Sequence, residues 1–181
     1  MTEENKAAAA TEENKGPMMS LQKLYVKDAS FEAPGAPQVF QEQGQPEINL
    51  NMNQKVNKLN DETFEVVLTA TVTCKVNEKT AYLAEVAQAG IFNMKGFDDQ
   101  ALHQTLGIYC PNVLFPYVRQ EISNSVVAGG FQPLVLQPVN FEQMYAQQMQ
   151  NAQAEAAELV RAEIERKKAE AEKRKRLRRD R

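Results

Sequence analysis

The most regular pattern in the chain is a run of alternating apolar residues near its centre. Seven alternate positions between 64 and 76 are apolar, whereas most residues between them are Thr, Glu or Lys. Because successive strand side chains point to opposite faces of a sheet, this period predicts one long strand with one buried face. A shift of one residue would move every apolar side chain into water, so the pattern also fixes the register.

A second strand-like run follows after a short turn. Asn77-Glu78-Lys79 predicts the turn, and residues 80–92 form the run. On one of its faces lie Ala84, Val86 and Gln88, and on the other Leu83 and Glu85. The two runs predict a long hairpin whose second face is only partly polar, so some structure or partner is expected to cover it.

Two weaker strand-like segments precede the hairpin. Residues 21–32 contain Leu, Tyr and Val before the Pro- and Gly-containing stretch 33–37, which must leave the sheet. Residues 47–59 resume the alternation, with apolar side chains at Ile48, Leu50, Met52 and Val56. With the hairpin, these segments predict a four-stranded, mainly antiparallel sheet.

Capping residues and helical spacing predict helices after the sheet. Asp98-Asp99 can cap a first helix that stops near Cys110-Pro111. A second helix is predicted to start close to Pro116, because proline suits the first helical turn, and to stop at Gly129-Gly130.

A third helix begins after Asn140, an N-cap with Gln143 as its capping-box partner. Its first turns place three apolar side chains on one face: Phe141, Tyr145 and Met149. Strands followed by helices predict an α+β fold in which the sheet packs with the C-terminal helices.

Both ends of the chain differ in composition from its centre. Residues 1–19 contain a duplicated TEENK pentapeptide and few large apolar side chains, which predicts a disordered tail. Residues 153–181 form a charged basic tail rich in Ala, Glu, Lys and Arg, predicted to be a solvated helix or disordered. The folded domain is therefore expected to span residues 20–152.

Composition indicates an ordinary soluble protein, with 43% hydrophobic and 25% charged residues among 181. No apolar run approaches the roughly 20 residues that span a bilayer, and the N-terminus does not resemble an export signal. Two cysteines do not form a secreted disulfide framework and suit a reducing compartment. We expect a cytoplasmic protein.

Charge is distributed unevenly along the chain. From Ala156 onward there are eleven Lys or Arg and six Asp or Glu, whereas residues 1–155 carry ten and eighteen. An acidic body lacks the cations that bind phosphates, so we expect no DNA partner. Only the basic tail offers a possible contact to RNA or to anionic lipid.

Catalytic and metal-binding patterns are not apparent in the sequence. His103 is the only histidine, and no Cys lies at ligand spacing beside it. Cys110 precedes a proline and can lie near a helix N-terminus, which would lower its thiol pKa, but no base is apparent. We expect a protein that is not an enzyme and uses no cofactor.

Four motifs nevertheless identify a family. YVKDASFEAP at 25–34, QAGIF at 88–92, YCPNVLFPY at 109–117 and PVNF at 138–141 resemble the SecB protein-export chaperone family. The resemblance runs from about Leu21 to Met149, and four ordered motifs are far more specific than one.

The resemblance implies a function. Members of the family are homotetramers, dimers of dimers, that hold unfolded precursor proteins without ATP in the cytoplasm and deliver them to the SecA motor ATPase. Multiple weak apolar sites would then bind unfolded chains with avidity and little sequence specificity.

The resemblance also implies three sets of site residues. The client groove would be lined by Ile48, Leu50, Met52, Phe141, Tyr145 and Met149. SecA would dock on an acidic side of the sheet through Asp28, Glu32, Leu83 and Glu85. Subunit packing would depend on Ala84, Val86 and Gln88.

Two departures from the family leave alternatives open. Gly44 stands where many members have Trp, so one aromatic wall of the groove is absent. The tail is longer and more basic than is usual in the family. The chain is alternatively a SecB-like chaperone dedicated to a toxin–antitoxin system, or an RNA or membrane adaptor acting through this tail.

Overall fold

Four strands and three α-helices make up the described part of the chain. The computed structural model describes residues 16–179, and it describes side chains through residue 168. The strands are β1 (Met18–Glu32), β2 (Glu47–Lys58), β3 (Thr63–Val76) and β4 (Lys79–Lys95). The helices are α1 (Asp99–Gln104), α2 (Cys110–Ala128) and α3 (Phe141–Arg179). The α+β class is therefore confirmed.

The four strands form one antiparallel sheet in the order β1-β4-β3-β2. Val72 on β3 lies opposite Ala84 on one side and opposite Leu50 on the other. Residues 33–46 connect the two edge strands β1 and β2, and they include a 3₁₀ turn at Gln38–Gln41. The predicted antiparallel sheet is correct, and both of its edges are strands that the weaker patterns predicted.

One face of the sheet is covered by α2. Its inward side chains, Leu114, Val118, Ile122 and Val126, are fully buried. They lie over the apolar face that β3 was predicted to bury. At Gly90 a Cβ atom would come within 3.0 Å of Leu114 Cδ2 and 2.7 Å of Phe92 Cε2, so glycine permits this close packing.

The hairpin turn is tighter than the sequence suggested. Lys79 already belongs to β4, and only Asn77 and Glu78 connect the strands, with φ angles of 49° and 66°. Two consecutive positive φ angles are the geometry of a type I′ turn, whose twist matches that of the flanking strands.

The predicted boundary of the N-terminal tail is wrong by two residues. Met18 and Met19 belong to β1, where they lie opposite Lys95 and Met94. The extension of β4 beyond Phe92 supplies the backbone partners that the local sequence does not reveal. Residues 1–15 of the predicted disordered tail lie outside the described residues.

The predicted break at Cys110-Pro111 is absent. A π-helical turn, Thr105–Tyr109, joins α1 directly to α2, and the Cys110 N–H donates to the Thr105 carbonyl. This wider turn lets the helix continue past Pro111, which has no N–H to donate. Pro116 also lies inside α2, on its exposed side, rather than at its start.

Among the described residues, 16–136 form one compact unit and 137–179 form a second. The second unit contains α3, which begins as predicted after Asn140. The side-chain oxygen of Asn140 accepts a hydrogen bond of 3.0 Å from the Gln143 backbone N–H. The helix continues to Arg179, so the described part of the basic tail is helical.

Candidate functional site

The face of the sheet opposite α2 carries an acidic patch. Glu32 lies directly across from Leu83, and Asp28 lies across from Ala87. Glu85 is two residues from Leu83 on the same strand and therefore on the same face. The structure thus places Asp28, Glu32, Leu83 and Glu85 on one face of the sheet. We call these four residues the acidic patch.

A β-bulge makes this arrangement possible. The pairing of β1 with β4 shifts register between Val26 and Asp28, so Lys27 has no residue opposite it. Without the extra residue, Tyr25 and Asp28 would point to opposite faces, because side chains alternate along a strand. The bulge therefore places Tyr25 and the acidic patch on one face.

Glu65 is the centre of a hydrogen-bond network beside the acidic patch. Its side chain accepts bonds from Lys27 Nζ at 2.7 and 2.8 Å, from Asn57 Nδ2 at 2.7 Å and from the Tyr25 hydroxyl. Although Glu65 is only 7% exposed, these donors satisfy it. We call Tyr25, Lys27, Asn57 and Glu65 the Glu65 network.

The network shifts two pKa values in opposite directions. Hydrogen bonds from Lys27, Tyr25 and Asn57 lower the pKa of Glu65 to about 2. The hydrogen bond to Glu65, together with burial, raises the pKa of Tyr25 to about 12. Glu65 is consequently an anion and Tyr25 a neutral donor over the whole physiological pH range.

The network ties together strands that are not adjacent. Tyr25 and Lys27 belong to β1, whereas Glu65 belongs to β3, so both side chains cross β4. Ala89 on β4 lies opposite Tyr25 and is fully buried. Its small side chain leaves room for that crossing. The network therefore holds the β1 edge beside the acidic patch.

Glu85 has its own positioning contact. Thr71 Oγ1 donates to Glu85 Oε2 at 2.7 Å across the β3–β4 pair. Asp28 and Glu32 are exposed and form no ion pair within residues 16–168. The patch therefore presents carboxylates that form no ion pair with a cation in this part of the chain.

The edge strand β2 exposes apolar side chains on the helix-covered face of the sheet. Ile48, Leu50 and Met52 lie opposite Cys74, Val72 and Ala70, which are buried on that face. Ile48 and Leu50 are exposed and Met52 is half-buried. One side of the β2 backbone has no strand partner in the sheet. An extended chain could bind here through both backbone and side chains.

An aromatic cluster was missed by the sequence analysis. The ring centroid of Tyr82 lies 5.8 Å from that of Phe31 and 4.8 Å from that of Phe131, while Phe40 lies 5.1 Å from Phe131. Phe40 is more than half exposed. The four residues come from segments that are distant in sequence, so no local pattern predicts their contact. The available signals were Phe131 beside Gly129-Gly130, and Phe31 and Phe40 beside and within the 33–46 connection.

Gly44 is held against the hairpin turn. A Cβ atom there would lie 2.7 Å from Asn77 Oδ1 and 3.0 Å from Val76 Cγ1. Asn77 Nδ2 donates to the Gln43 carbonyl at 3.2 Å, and Lys79 pairs with Glu42 at 2.7 Å. Polar contacts thus fix the connection at the point where many family members carry Trp.

Within the second unit, α3 begins with the predicted apolar residues. Exposure rises along it from Phe141, which is buried, through the half-buried Tyr145 to the exposed Met149. Their spacing of four residues places them along one side of the helix.

The three residues assigned to subunit packing do not face outward. Ala84 and Val86 are fully buried and Gln88 is 3% exposed, all on the face that α2 covers. These three side chains therefore offer almost no exposed surface, and their role in subunit packing stays a prediction. The alternation along β4 was predicted correctly, but the sequence did not reveal which of its faces lies under the helix.

The outer side of α2 is a separate exposed surface. Together with the last residue of the π turn, Tyr109, it forms a stripe of uncharged residues at helical spacing: Tyr109, Val113, Pro116, Tyr117, Gln120, Asn124 and Val127. Tyr109, Tyr117 and Val127 are among the exposed large apolar side chains. Apolar side chains on an unpartnered helix face are typical of a protein interface.

The cysteines and the histidine show no reactive arrangement. Burial raises the pKa of Cys110 to about 12 and also raises the pKa of Cys74. The low thiol pKa considered for Cys110 is therefore wrong, since the continuous helix provides no N-terminus beside it. His103 is exposed on α1. Among the described residues, no three His, Cys, Asp or Glu side chains are grouped to hold a metal ion.

The family assignment rests on sequence comparison. Residues 12–152 match the sequence profile of SecB, described as preprotein translocase subunit SecB. The chain belongs to the SecB family. It is 55% identical over 141 residues to the protein-export protein SecB of Xanthomonas euvesicatoria, covering 78% of this chain and 83% of that protein. The SecB of Stenotrophomonas maltophilia is 54% identical over 147 residues, covering 80% and 86%.

The fold agrees with this assignment. A solved Mycobacterium tuberculosis SecB-like chaperone, in complex with a ChAD peptide from the HigA1 antitoxin, superposes with a TM-score of 0.57 at 15% identity, covering 67% of this chain and 90% of that one. SecB proteins are protein-export chaperones, and this is the function of the chain. No helix in the described residues is both long and apolar enough to span a membrane.

Proposed function

We propose that this SecB-family chain holds unfolded precursor proteins in the cytoplasm without ATP and delivers them to the SecA motor ATPase. The observation that supports the proposal is that two surfaces of one sheet differ in their chemistry. The edge strand β2 offers apolar side chains and a free backbone edge, whereas the opposite face offers the carboxylates of the acidic patch. One molecule can therefore bind a client and a basic partner at different surfaces.

Client binding would use two apolar stripes and the aromatic cluster. The stripes are Ile48, Leu50 and Met52 on β2, and Phe141, Tyr145 and Met149 on α3. Side-chain burial and backbone hydrogen bonding at a strand edge recognise an extended chain without requiring a particular sequence. The exposed ring of Phe40 supplies apolar surface in the 33–46 connection, the same connection in which Gly44 replaces the family Trp.

Holding a client needs no ATP, since binding to the unfolded state alone shifts its folding equilibrium by mass action. A solution test is to dilute a denatured secretory precursor into buffer containing this protein and to follow refolding. We expect the refolding rate to fall as the chaperone concentration rises. Unchanged refolding at all chaperone concentrations would refute the proposal.

A pair of variants on β2 tests the client stripe. Leu50→Ser removes an apolar side chain from the stripe, whereas Asn51→Ser changes the adjacent residue, which points to the other face. We expect Leu50→Ser to weaken retardation of refolding and Asn51→Ser to retain it. Equal effects of the two variants would argue against β2 as a client surface.

SecA docking would use the acidic patch. Its carboxylates complement a basic partner, and charge complementarity controls specificity and association rate. Glu85→Lys reverses a charge in the patch. The control is Asn53→Lys, which adds a lysine to the same face outside the patch, on the opposite edge strand. We expect Glu85→Lys to weaken SecA binding about tenfold and to spare client binding. Equal SecA affinity for wild type and Glu85→Lys would remove the patch from the docking site.

We also propose that the chain assembles as a homotetramer, a dimer of dimers. The uncharged outer stripe of α2 supports a self-complementary contact, with Tyr109 and Tyr117 as anchors. The buried Ala84, Val86 and Gln88 would affect assembly indirectly, by fixing the position of α2. Measuring the mass in solution tests the proposed tetramer, and Tyr117→Lys is expected to lower the measured mass. A monomeric wild type would refute the tetramer.

A chaperone dedicated to one toxin–antitoxin pair remains a distinct hypothesis. The fold of the antitoxin-bound relative is shared, but its identity to this chain is low. Retarded refolding of several unrelated precursors would exclude a dedicated role, and retardation of only one would favour it.

A further inference from the structure

The C-terminal part of α3 has one side that is free of acidic residues, whereas Arg166 lies among the glutamates on the opposite side. On the first of these sides, the spacing of three and four residues aligns Ala157, Val160, Ile164, Lys167 and Lys168. The four acidic residues of the segment 153–168, Glu155, Glu158, Glu163 and Glu165, all fall outside this stripe. We call it the basic-apolar stripe.

The two large apolar side chains of the stripe are exposed among the side chains that the structure describes. Val160 is 57% exposed and Ile164 is 48% exposed. Lys167 pairs with Glu163 at 2.8 Å, but both side chains are largely exposed, so this pair does little to neutralise the lysine. Beyond the segment, the sequence from 169 to 181 contains seven Lys or Arg and three Asp or Glu.

We propose that the basic-apolar stripe binds an anionic phospholipid surface. Lys and Arg are attracted to anionic headgroups, and aliphatic side chains set among them can enter the boundary between headgroups and acyl chains. An RNA backbone would use the same cations but offers no place for Val160 and Ile164. Aromatic side chains that would strengthen RNA binding by stacking on bases are also absent from the sequence after Tyr145.

Only the biological purpose of this lipid contact rests on the proposed function. A chaperone that delivers precursors to a motor at the membrane would gain from a weak lipid contact, and several copies of the tail in one assembly would add avidity. The lipid contact itself requires neither a client nor SecA, so it can fail or succeed independently of client holding.

Tryptophan fluorescence can locate the contact, because the natural chain contains no Trp. In full-length protein, Val160→Trp places the reporter on the stripe. Leu159→Trp is the matched control, since Leu159 is 72% exposed but lies between Glu155 and Glu163. With vesicles of phosphatidylglycerol and phosphatidylcholine, we expect a blue shift for Val160→Trp alone. No shift for Val160→Trp, or equal shifts for both, would overturn the proposal.

A second experiment separates lipid from RNA. Val160→Gln/Ile164→Gln keeps the charge of the helix, and Gln is a better helix former than Val or Ile. We expect the double variant to bind phosphatidylglycerol-containing vesicles at least about fivefold more weakly, whereas Leu159→Gln binds them like wild type. Wild type should not bind vesicles of phosphatidylcholine alone. Unchanged vesicle binding by the double variant, or binding to polyuridylate but not to anionic vesicles, would refute the proposal.

Precursor refolding provides the remaining readout. The double variant should retard refolding as wild type does, since its changes lie outside both proposed client stripes. Loss of vesicle binding with intact holding is the expected result. Loss of both, with the same helix content by circular dichroism, would show that the stripe binds clients rather than lipid and would overturn the proposal.

Discussion

The two faces of the sheet are stabilised by different means. The face under α2 is filled by aliphatic and aromatic side chains, whereas the open face is held by hydrogen bonds centred on Glu65. Burial of apolar surface is non-directional, but hydrogen bonds fix particular atoms at particular distances. The difference suggests that the covered face supplies most of the stability and the open face the fixed geometry that a docking surface needs.

The largest test of this comparison uses neighbouring residues on β3. Leu68 is fully buried on the covered face, and Thr69 is half-buried on the open face. We expect Leu68→Ala to lower the free energy of unfolding by about 2–5 kcal/mol, because it removes apolar contacts and leaves a cavity. Thr69→Ala should change it by no more than about 0.5 kcal/mol. Urea denaturation measures both, and similar losses would contradict the contrast between the faces.

A second prediction concerns Glu65. Glu65→Gln should lower the free energy of unfolding by on the order of 2 kcal/mol at neutral pH, because charge-assisted hydrogen bonds are lost. Lys27 is half exposed, so solvent screening limits its share.

The effect of Glu65 depends on pH in a defined direction. Its pKa is lowered from 4.5 to about 2 on folding, so its ionised form stabilises the native state above the higher value. This stabilisation is lost as pH falls through that interval. The gap between wild type and Glu65→Gln should therefore narrow on acidification from about pH 6 to about pH 3. A gap independent of pH would show that the charge does not matter.

Gln88 provides the opposite case on the covered face. Its Oε1 atom is buried and lacks a hydrogen-bond partner among the described residues. Gln88→Leu should raise the free energy of unfolding by about 0.5–1 kcal/mol, because an unsatisfied polar atom is removed. Glu65→Leu should instead lower it, as three donors lose their acceptor. If both changes acted in the same direction, satisfaction of polar groups would not distinguish the two faces.

The smallest predicted effect concerns the turn between β3 and β4, which sets the register of this strand pair. Glu78 has a φ angle of 66°, which glycine adopts at lower cost. Glu78→Gly should raise the free energy of unfolding by about 0.5 kcal/mol, which urea denaturation detects as a slightly higher midpoint. Lys79→Gly, at a residue in β4, should lower it and serves as the control.

Local patterns predicted the strands well because their cause is local. The alternation from Phe64 to Val76 follows from one buried face and needs no knowledge of distant residues. The Glu65 network could not be predicted, because Tyr25 and Lys27 lie about forty residues away in sequence. The bulge at Lys27, which sets the face of Asp28, depends on the partner strand and leaves no clear mark in the sequence.

The helices show the same limit. Pro111 and Pro116 are reliable signals that a backbone N–H is missing, but they do not say whether a π turn or an exposed carbonyl will accommodate the loss. The family resemblance predicted the acidic patch and both proposed client stripes. It predicted neither the contacts within the aromatic cluster nor the basic-apolar stripe, because those depend on how distant segments pack and on the residues of the tail.

The strand order has a consequence for synthesis of the protein itself. Within residues 16–179, β1 pairs with β4 alone, although β1 leaves the ribosome first and β4 last among the four strands. The first edge strand must therefore wait, unpaired and partly apolar, until the third and fourth strands emerge. During its own translation this chaperone is therefore itself an unfolded chain with an unpaired strand. A folded copy nearby has an open edge at β2 to which that strand could pair.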